Sequence, residues 1–241
     1  MPNTILEKKG LSQRVEDKKK HYVMNVKSID QITHDVLRII TEKPKEYIFI
    51  PGQATEVSIK KPGWSNEKRP FTFTNLPHEQ HLEFIIKTYP SHKGMTNQLL
   101  DLKVHDKLIL SQPFGAIKYA GEGVFIAGGA GITPFISIFE DLKEKHMLGA
   151  NKLICANKTK ADIILEKDLS KLLASNFINI LSEEKIAGYH HGMITKDFLL
   201  AHINDFNKYF YLCGPPAMLT AVENQLHDLG VKDNFIVKEK M

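Results

Sequence analysis

Gly123-Val124-Phe125-Ile126-Ala127, running straight into Gly128-Gly129-Ala130-Gly131 and then Ile132-Thr133-Pro134, is the stretch that decides the fold. Its first five residues carry no charge and read as a strand buried on both faces. Thr133 reads as a helix cap and Pro134 as a first-turn residue of a helix reaching about Lys145. A glycine-rich loop between strand and helix lets backbone approach a pyrophosphate with no side chain between them. No Gly-Lys-Ser/Thr follows, so this is not a nucleoside-triphosphate loop, and the spacing is not the strict dinucleotide fingerprint. Gly128, Gly129, Gly131, Thr133 and Pro134 are its cofactor-binding candidates.

Downstream the same grammar repeats. Strands are expected at 152–156, 177–181, 208–213 and 234–238, with helices near 163–174, 195–203 and 216–229 between them. With the strand at 123–127 these make a C-terminal α/β domain with a five-stranded parallel sheet, helices on both faces. Where the strand Tyr211-Leu212-Cys213 ends, Gly214 permits close approach, and Pro215 and Pro216 fix the start of the last helix. Upstream the pattern is alternation of period two: Tyr22, Met24 and Val26, then Val36 to Ile40, Glu56 to Lys60, 70–75, 81–88 and 107–111. Six short strands predict an N-terminal antiparallel six-stranded β-barrel. Within it, Lys93-Gly94-Met95-Thr96-Asn97-Gln98-Leu99-Leu100 reads as a helix whose start offers free N–H groups to a phosphate. Arg69-Pro70-Phe71-Thr72-Phe73-Thr74 places a guanidinium, an aromatic ring and a hydroxyl in tandem, which suits a flat, anionic cofactor.

Totals narrow the class. The chain has 241 residues, 42% hydrophobic and 25% charged, enough for two ordinary domains with filled cores. Its net charge is +4, and most of that excess lies in residues 1–20, which read as a flexible polar tail, so nucleic acid is not expected. Two cysteines, Cys155 and Cys213, exclude a cluster held by four thiolates of this chain and point to a reducing compartment. The uncharged span 123–139 is broken by glycines and a proline, so it is not read as a membrane segment. No signal core follows Ile5 and Leu6, and a cytoplasmic location is expected. The domain boundary is expected near 116–121, giving a flavin domain at 21–117 and a nicotinamide domain at 118–241.

Arg69-Pro70-Phe71-Thr72, Gly128 to Pro134 and Cys213-Gly214-Pro215-Pro216 together resemble the ferredoxin-NADP reductase superfamily, in its short flavodoxin-reductase-like form without a fused iron–sulfur or haem module. The resemblance implies FAD on the barrel, NAD(P)H on the α/β domain, and a flavoprotein reductase. By it, Arg69 contacts flavin phosphate, Phe71 packs on the flavin and Thr72 bonds the hydride-accepting nitrogen. Lys93, Gly94, Met95 and Thr96 resemble the second phosphate element, and Thr133 lies near the nicotinamide. Cys213 is implied to sit beside the hydride-donating carbon as a packing and positioning group, so Thr72 and Cys213 are the catalytic candidates. Asn157, Lys158, Pro215 and Met218 complete the cofactor-binding set. FAD is favoured over FMN, because a pyrophosphate uses both Arg69 and the helix start.

Three matters stay open in the sequence. Glu183 and Glu184 disfavour a 2′-phosphate while Lys158 and Lys160 favour one, and the balance leans to NADH. The family's terminal aromatic lid has no counterpart, and Met241 or Phe235 is the substitute. Electrons pass onward to a carrier such as ferredoxin or flavodoxin, or free reduced flavin is the product, or the chain is a non-catalytic nucleotide-binding component. The adjacent His190 and His191, with His78, His81 and His92, are read as surface residues, and no metal site is expected.

Overall fold

The computed structural model describes residues 21–239; the expected N-terminal tail and Met241 lie outside the described residues. Six antiparallel strands come first: β1 (Tyr22–Thr33), β2 (Val36–Glu42), β3 (Ala54–Ile59), β4 (Arg69–Thr72), β5 (His81–Lys87) and β6 (Lys107–Leu110). Their order is β4-β3-β6-β1-β2-β5. Phe73 bridges Phe84, and the Thr74 amide donates to the Glu83 carbonyl at 3.0 Å, so the two edge strands meet and the sheet closes on itself. Closure removes the exposed edges that an open sheet would present. Inside, Phe73 stacks on Phe49 at 4.2 Å between centroids, with Val57, Ile59, Leu108 and Leu110 fully buried around them.

The helical interruption is shorter than its sequence suggests. Only Met95–Gln98 (α1) is α-helical, and Leu99–Asp101 tightens into a 3₁₀ turn. The cause is packing: Met95 and Leu99 are both buried in the barrel core, which fixes one turn and leaves no length for more.

The second half is a parallel sheet in the order β10-β9-β8-β7-β11-β12, formed by β7 (Gly123–Gly128), β8 (Lys152–Asn157), β9 (Phe177–Leu181), β10 (His190–His191), β11 (Tyr209–Cys213) and β12 (Ile236–Lys238). The two-residue β10 is added at one edge of the five strands read from sequence. It makes His190 part of a ring cluster, 4.4 Å from His202 and 5.4 Å from Phe198, although both β10 histidines remain exposed. Helices α2 (Thr133–Glu144) and α3 (Glu166–Leu173) pack with one cluster of core residues; α4 (Lys196–His202) and α5 (Pro216–Asp228) pack with another, on the other face.

The lobes are joined by packing and by named polar contacts. Val36 and Ile85 of the barrel belong to the same buried cluster as Phe135, Ile138 and Phe139 of α2. The Gly52 amide donates to Ser137 Oγ at 3.1 Å. The connecting segment is also pinned, because the Ala120 and Gly121 amides donate to the Tyr211 hydroxyl at 2.9 and 3.0 Å.

Candidate functional site

Strand order reverses between β7 and β11, and that is where an open α/β sheet leaves a crevice beyond its carboxyl ends. Ala127 and Cys213 are register partners there, so the loops leaving both strands start side by side. A Cβ on Gly131 would lie 2.2 Å from the Cys213 carbonyl oxygen, and one on Gly128 would meet Met218 Sδ at 2.6 Å. These two glycines are therefore required by the fit of one loop against the other. The open approach expected of the whole loop is concentrated at Gly129, whose φ is +52° and whose Cβ would meet nothing within 4 Å. Thr133 is not the helix cap: Gly129–Ile132 forms a 3₁₀ turn, Ile132 holds the cap position, and the Thr133 hydroxyl donates to the Ala130 carbonyl at 3.1 Å. Pro134 does sit in the first helical turn.

Two cavities meet at this point. One, of about 740 Å³, lies between the lobes and is lined by Pro70, Phe71, Thr72 and Thr96 from the barrel and by Gly131, Thr133, Pro134, Cys213 and Gly214 from the α/β side. The other, of about 490 Å³, lies over the sheet and is lined by Gly129, Asn157, Lys158 and Met218. Gly128, Ala130, Pro215, Lys87 and Tyr89 line both.

Four of the cofactor-binding candidates and the lid candidate Phe235 line neither cavity. Arg69 is exposed, donating to the Lys68 carbonyl at 2.7 Å with Glu67 at 3.8 Å. Lys93 is exposed, the Met95 side chain is wholly in the barrel core, and Gly94 is extended ahead of a four-residue helix too short for a strong end field. Phe235 cannot serve as a lid, because it packs on Tyr209 at the opposite end of β11 from Cys213.

Residues the sequence reading passed over include Lys87, Glu239 and Met193. Lys87, closing the alternating strand β5, was the most legible: its ammonium lies 2.8 Å from Asp35 and 3.4 Å from Asp162. Burial works against its charge, but the two carboxylates outweigh it and hold its pKa above the usual lysine value. Burial likewise opposes ionisation of Asp162, and hydrogen bonds from Thr159 with the Lys87 charge overcome it, leaving its pKa below the usual range. His34, Asp35 and Asp162 have donor atoms grouped closely enough for a cation, and the Lys87 ammonium already stands among their carboxylates. Glu239, far from the cleft in sequence, returns to it and accepts from the Ala116 amide at 2.9 Å.

The chemistry of the donors can be read from these surroundings. Burial first, and the Glu239 carboxylate second, push the Cys213 thiol up to about 12, so it stays protonated and is no nucleophile at neutral pH. Lys158 and Glu183, which the sequence set in opposition, pair with each other at 2.9 Å beyond Ser182, another wall of the smaller cavity. The larger cavity fits a flavin: apolar Phe71, Ile86 and Ile117 with the hydroxyls of Thr72 and Thr96 match a flat, largely apolar ring with polar edges. The smaller fits a dinucleotide, with open backbone at Gly129 for its phosphates.

Comparison with known proteins finds a flavin-binding and a nicotinamide-binding family in the chain. Residues 21–133 match the FAD-binding domain family and residues 125–224 the oxidoreductase NAD-binding domain family. One component of the Na(+)-translocating NADH-quinone reductase of Haemophilus influenzae is 34% identical over 158 residues, 59% of this chain and 38% of that protein. The counterpart in Yersinia enterocolitica is 33% identical, over 59% of this chain and 39% of its own. The matched region thus spans under two fifths of the length of these relatives. The cytochrome b5 reductase domain of Ulva prolifera nitrate reductase superposes with a TM-score of 0.80 at 22% identity, covering 92% of this chain and 98% of that one. A ferredoxin NADP+ reductase from Neisseria gonorrhoeae, with bound FAD and NADP, gives a TM-score of 0.80 at 17% identity, covering 91% and 98%.

Proposed function

Because the chain belongs to the ferredoxin-NADP reductase superfamily of FAD- and NAD-binding oxidoreductases, we propose that its larger cavity seats the flavin ring of FAD and its smaller one NADH, with the nicotinamide at their shared wall. The observation that carries this reading is that Thr72 of the barrel and Cys213 of the parallel sheet line one cavity, although 141 positions separate them in the chain. When bound, the flavin supplies two-electron acceptance from a nicotinamide and onward release to an acceptor.

The chain's own residues do the positioning. Thr72 offers a hydroxyl to the ring edge, and Phe71 packs along it. Cys213, kept as a neutral thiol, is a shaped wall that holds the nicotinamide against the ring without reacting. Arg69, released from Glu67, reaches the flavin phosphates together with the backbone at Gly94 to Thr96. Thr133 and Pro134 border the nicotinamide, while Gly129, Pro215 and Met218 carry the dinucleotide and Asn157 and Lys158 flank its ribose. Glu183 pairs with Lys158 and sets a carboxylate against a 2′-phosphate there, which favours NADH. The name of the Haemophilus relative supports the same donor. The working parts divide at residue 117/118. No described helix is long and apolar enough to cross a membrane. Electrons pass onward to a carrier such as ferredoxin or flavodoxin.

Anaerobic stopped-flow mixing of the yellow holoprotein with NADH and NADPH in parallel tests this. Bleaching of the flavin band is expected with both and faster with NADH; no bleaching with either would sink the reading. A second reading, release of free reduced flavin as product, draws support from Arg69 lying on Lys68 and Glu67. Gel filtration separates the two: flavin colour that elutes with the protein favours a resident cofactor, and colour that elutes after it favours flavin as substrate.

A further inference from the structure

The lining of the smaller cavity has two unlike parts. One is shared with the larger cavity through Gly128, Ala130 and Pro215, where Cys213 stands. The other is apolar, walled by Ala217, Ala221 and Val222 of α5 and by Ile194. Positions 217 and 221 are one turn apart on a helix, so two methyl groups present a nearly flat wall. Met193 joins this lining and is 66% exposed, the most exposed of the large apolar residues there, just after Gly192 with its φ of +115°. A dinucleotide carries a base at each end. With the nicotinamide at the shared wall, the apolar part of the lining, to which Met193 belongs, is what suits the adenine.

We propose that Met193 is the flexible clamp over the adenine and a site at which thioether oxidation weakens dinucleotide binding. This rests on the reading of the smaller cavity as the NADH site. An unbranched, polarisable thioether adapts to an aromatic face, and its conversion to sulfoxide makes it polar and chiral. In the step, the Met193 Sδ lone pair attacks one oxygen of a hydroperoxide. The S–O bond forms as the O–O bond breaks; sulfur loses two electrons, the peroxide gains them, and water leaves when the oxidant is hydrogen peroxide. Met147 supplies an internal reference, since it is 55% exposed and lines neither cavity.

The test treats the holoprotein with dilute hydrogen peroxide, with and without saturating ADP-ribose, and follows sulfoxide at each methionine by peptide mass spectrometry. Calorimetry gives the ADP-ribose affinity before and after oxidation. Expected are protection of Met193 but not Met147, and an affinity that falls about fivefold on oxidation. In the Met193→Leu variant, affinity should be the same before and after peroxide, which also separates Met193 from Met218. Wild-type protein that binds ADP-ribose yet leaves Met193 unprotected would overturn the proposal alone, as would a Met193→Leu variant that stays peroxide-sensitive. An absence of binding heat in untreated protein would overturn both the proposal and the cavity assignment beneath it.

Discussion

At the switch point the backbone of one loop is wedged into the next, whereas at the edge of the barrel a long side chain lies on the surface. Gly131 against the Cys213 carbonyl and Gly128 against the Pro215 ring leave little slack, and the geometry of that wall is set by folding itself. Arg69, by contrast, is exposed and rests on its own neighbours, Lys68 and Glu67. On the function proposed above, the difference teaches that the nucleotide wall is preformed, while the flavin phosphate end is to be completed by rotation of the Arg69 side chain. Mutations at the first should register as lost stability, and at the second as lost affinity.

The largest effect is expected from Gly131→Ala. Its methyl would collide with a backbone carbonyl that cannot swing aside, so about 3 kcal/mol and a fall of roughly 10 °C in Tm are expected by thermal denaturation. A variant as stable as wild type would break the comparison at its firm end.

Next is Lys87→Met, which strands the mostly buried carboxylates of Asp35 and Asp162 without their cation. About 2 kcal/mol is expected in denaturant unfolding. Its pH dependence has two signs. Asp162, with a lowered folded pKa, contributes fully above about pH 4 and loses that contribution as pH falls through the folded value. Lys87, with a raised folded pKa, contributes fully below about pH 10 and loses it as pH rises through the folded value. The gap between wild type and variant should therefore be flat across neutrality and narrow at both extremes.

Arg69→Ala sharpens the other end. Apoprotein stability should change by less than about 0.5 kcal/mol, while the flavin Kd, read by fluorescence quenching, rises about tenfold. An unchanged flavin Kd would remove Arg69 from the cofactor set. Gly129→Ala should cost about 1 kcal/mol of stability, because only the left-handed backbone resists a methyl group that meets open space. Calorimetry should nonetheless show NAD+ binding weakened several-fold, since that methyl stands where phosphate approaches.

Much of the fold was legible because periodicity is local. The strands of the barrel and the alternating strands and helices after Gly123 follow from apolar spacing within windows of a few residues. That Thr72, Cys213 and the loop after β7 line cavities fits their singling out in sequence, each lying within a short stretch of distinctive composition. Thr133 was misread as a cap because a 3₁₀ turn and a free cap residue look alike in sequence. The exposed resting position of the Arg69 side chain and the burial of the Met95 side chain were not legible, because whether a side chain points to core or solvent depends on its partners across the fold.

By itself, then, the sequence determined the type and order of elements and the glycine-marked loop, all set by interactions between near neighbours in the chain. Only the tertiary structure decided that β11 lies beside β7 with Cys213 against Ala127, that Lys87 meets Asp162 across 75 positions, and that Glu239 returns to the cleft. The physical reason is that strand order, register and distant ion pairs minimise unburied apolar surface and unpaired charge over the whole molecule, a quantity that no local window contains.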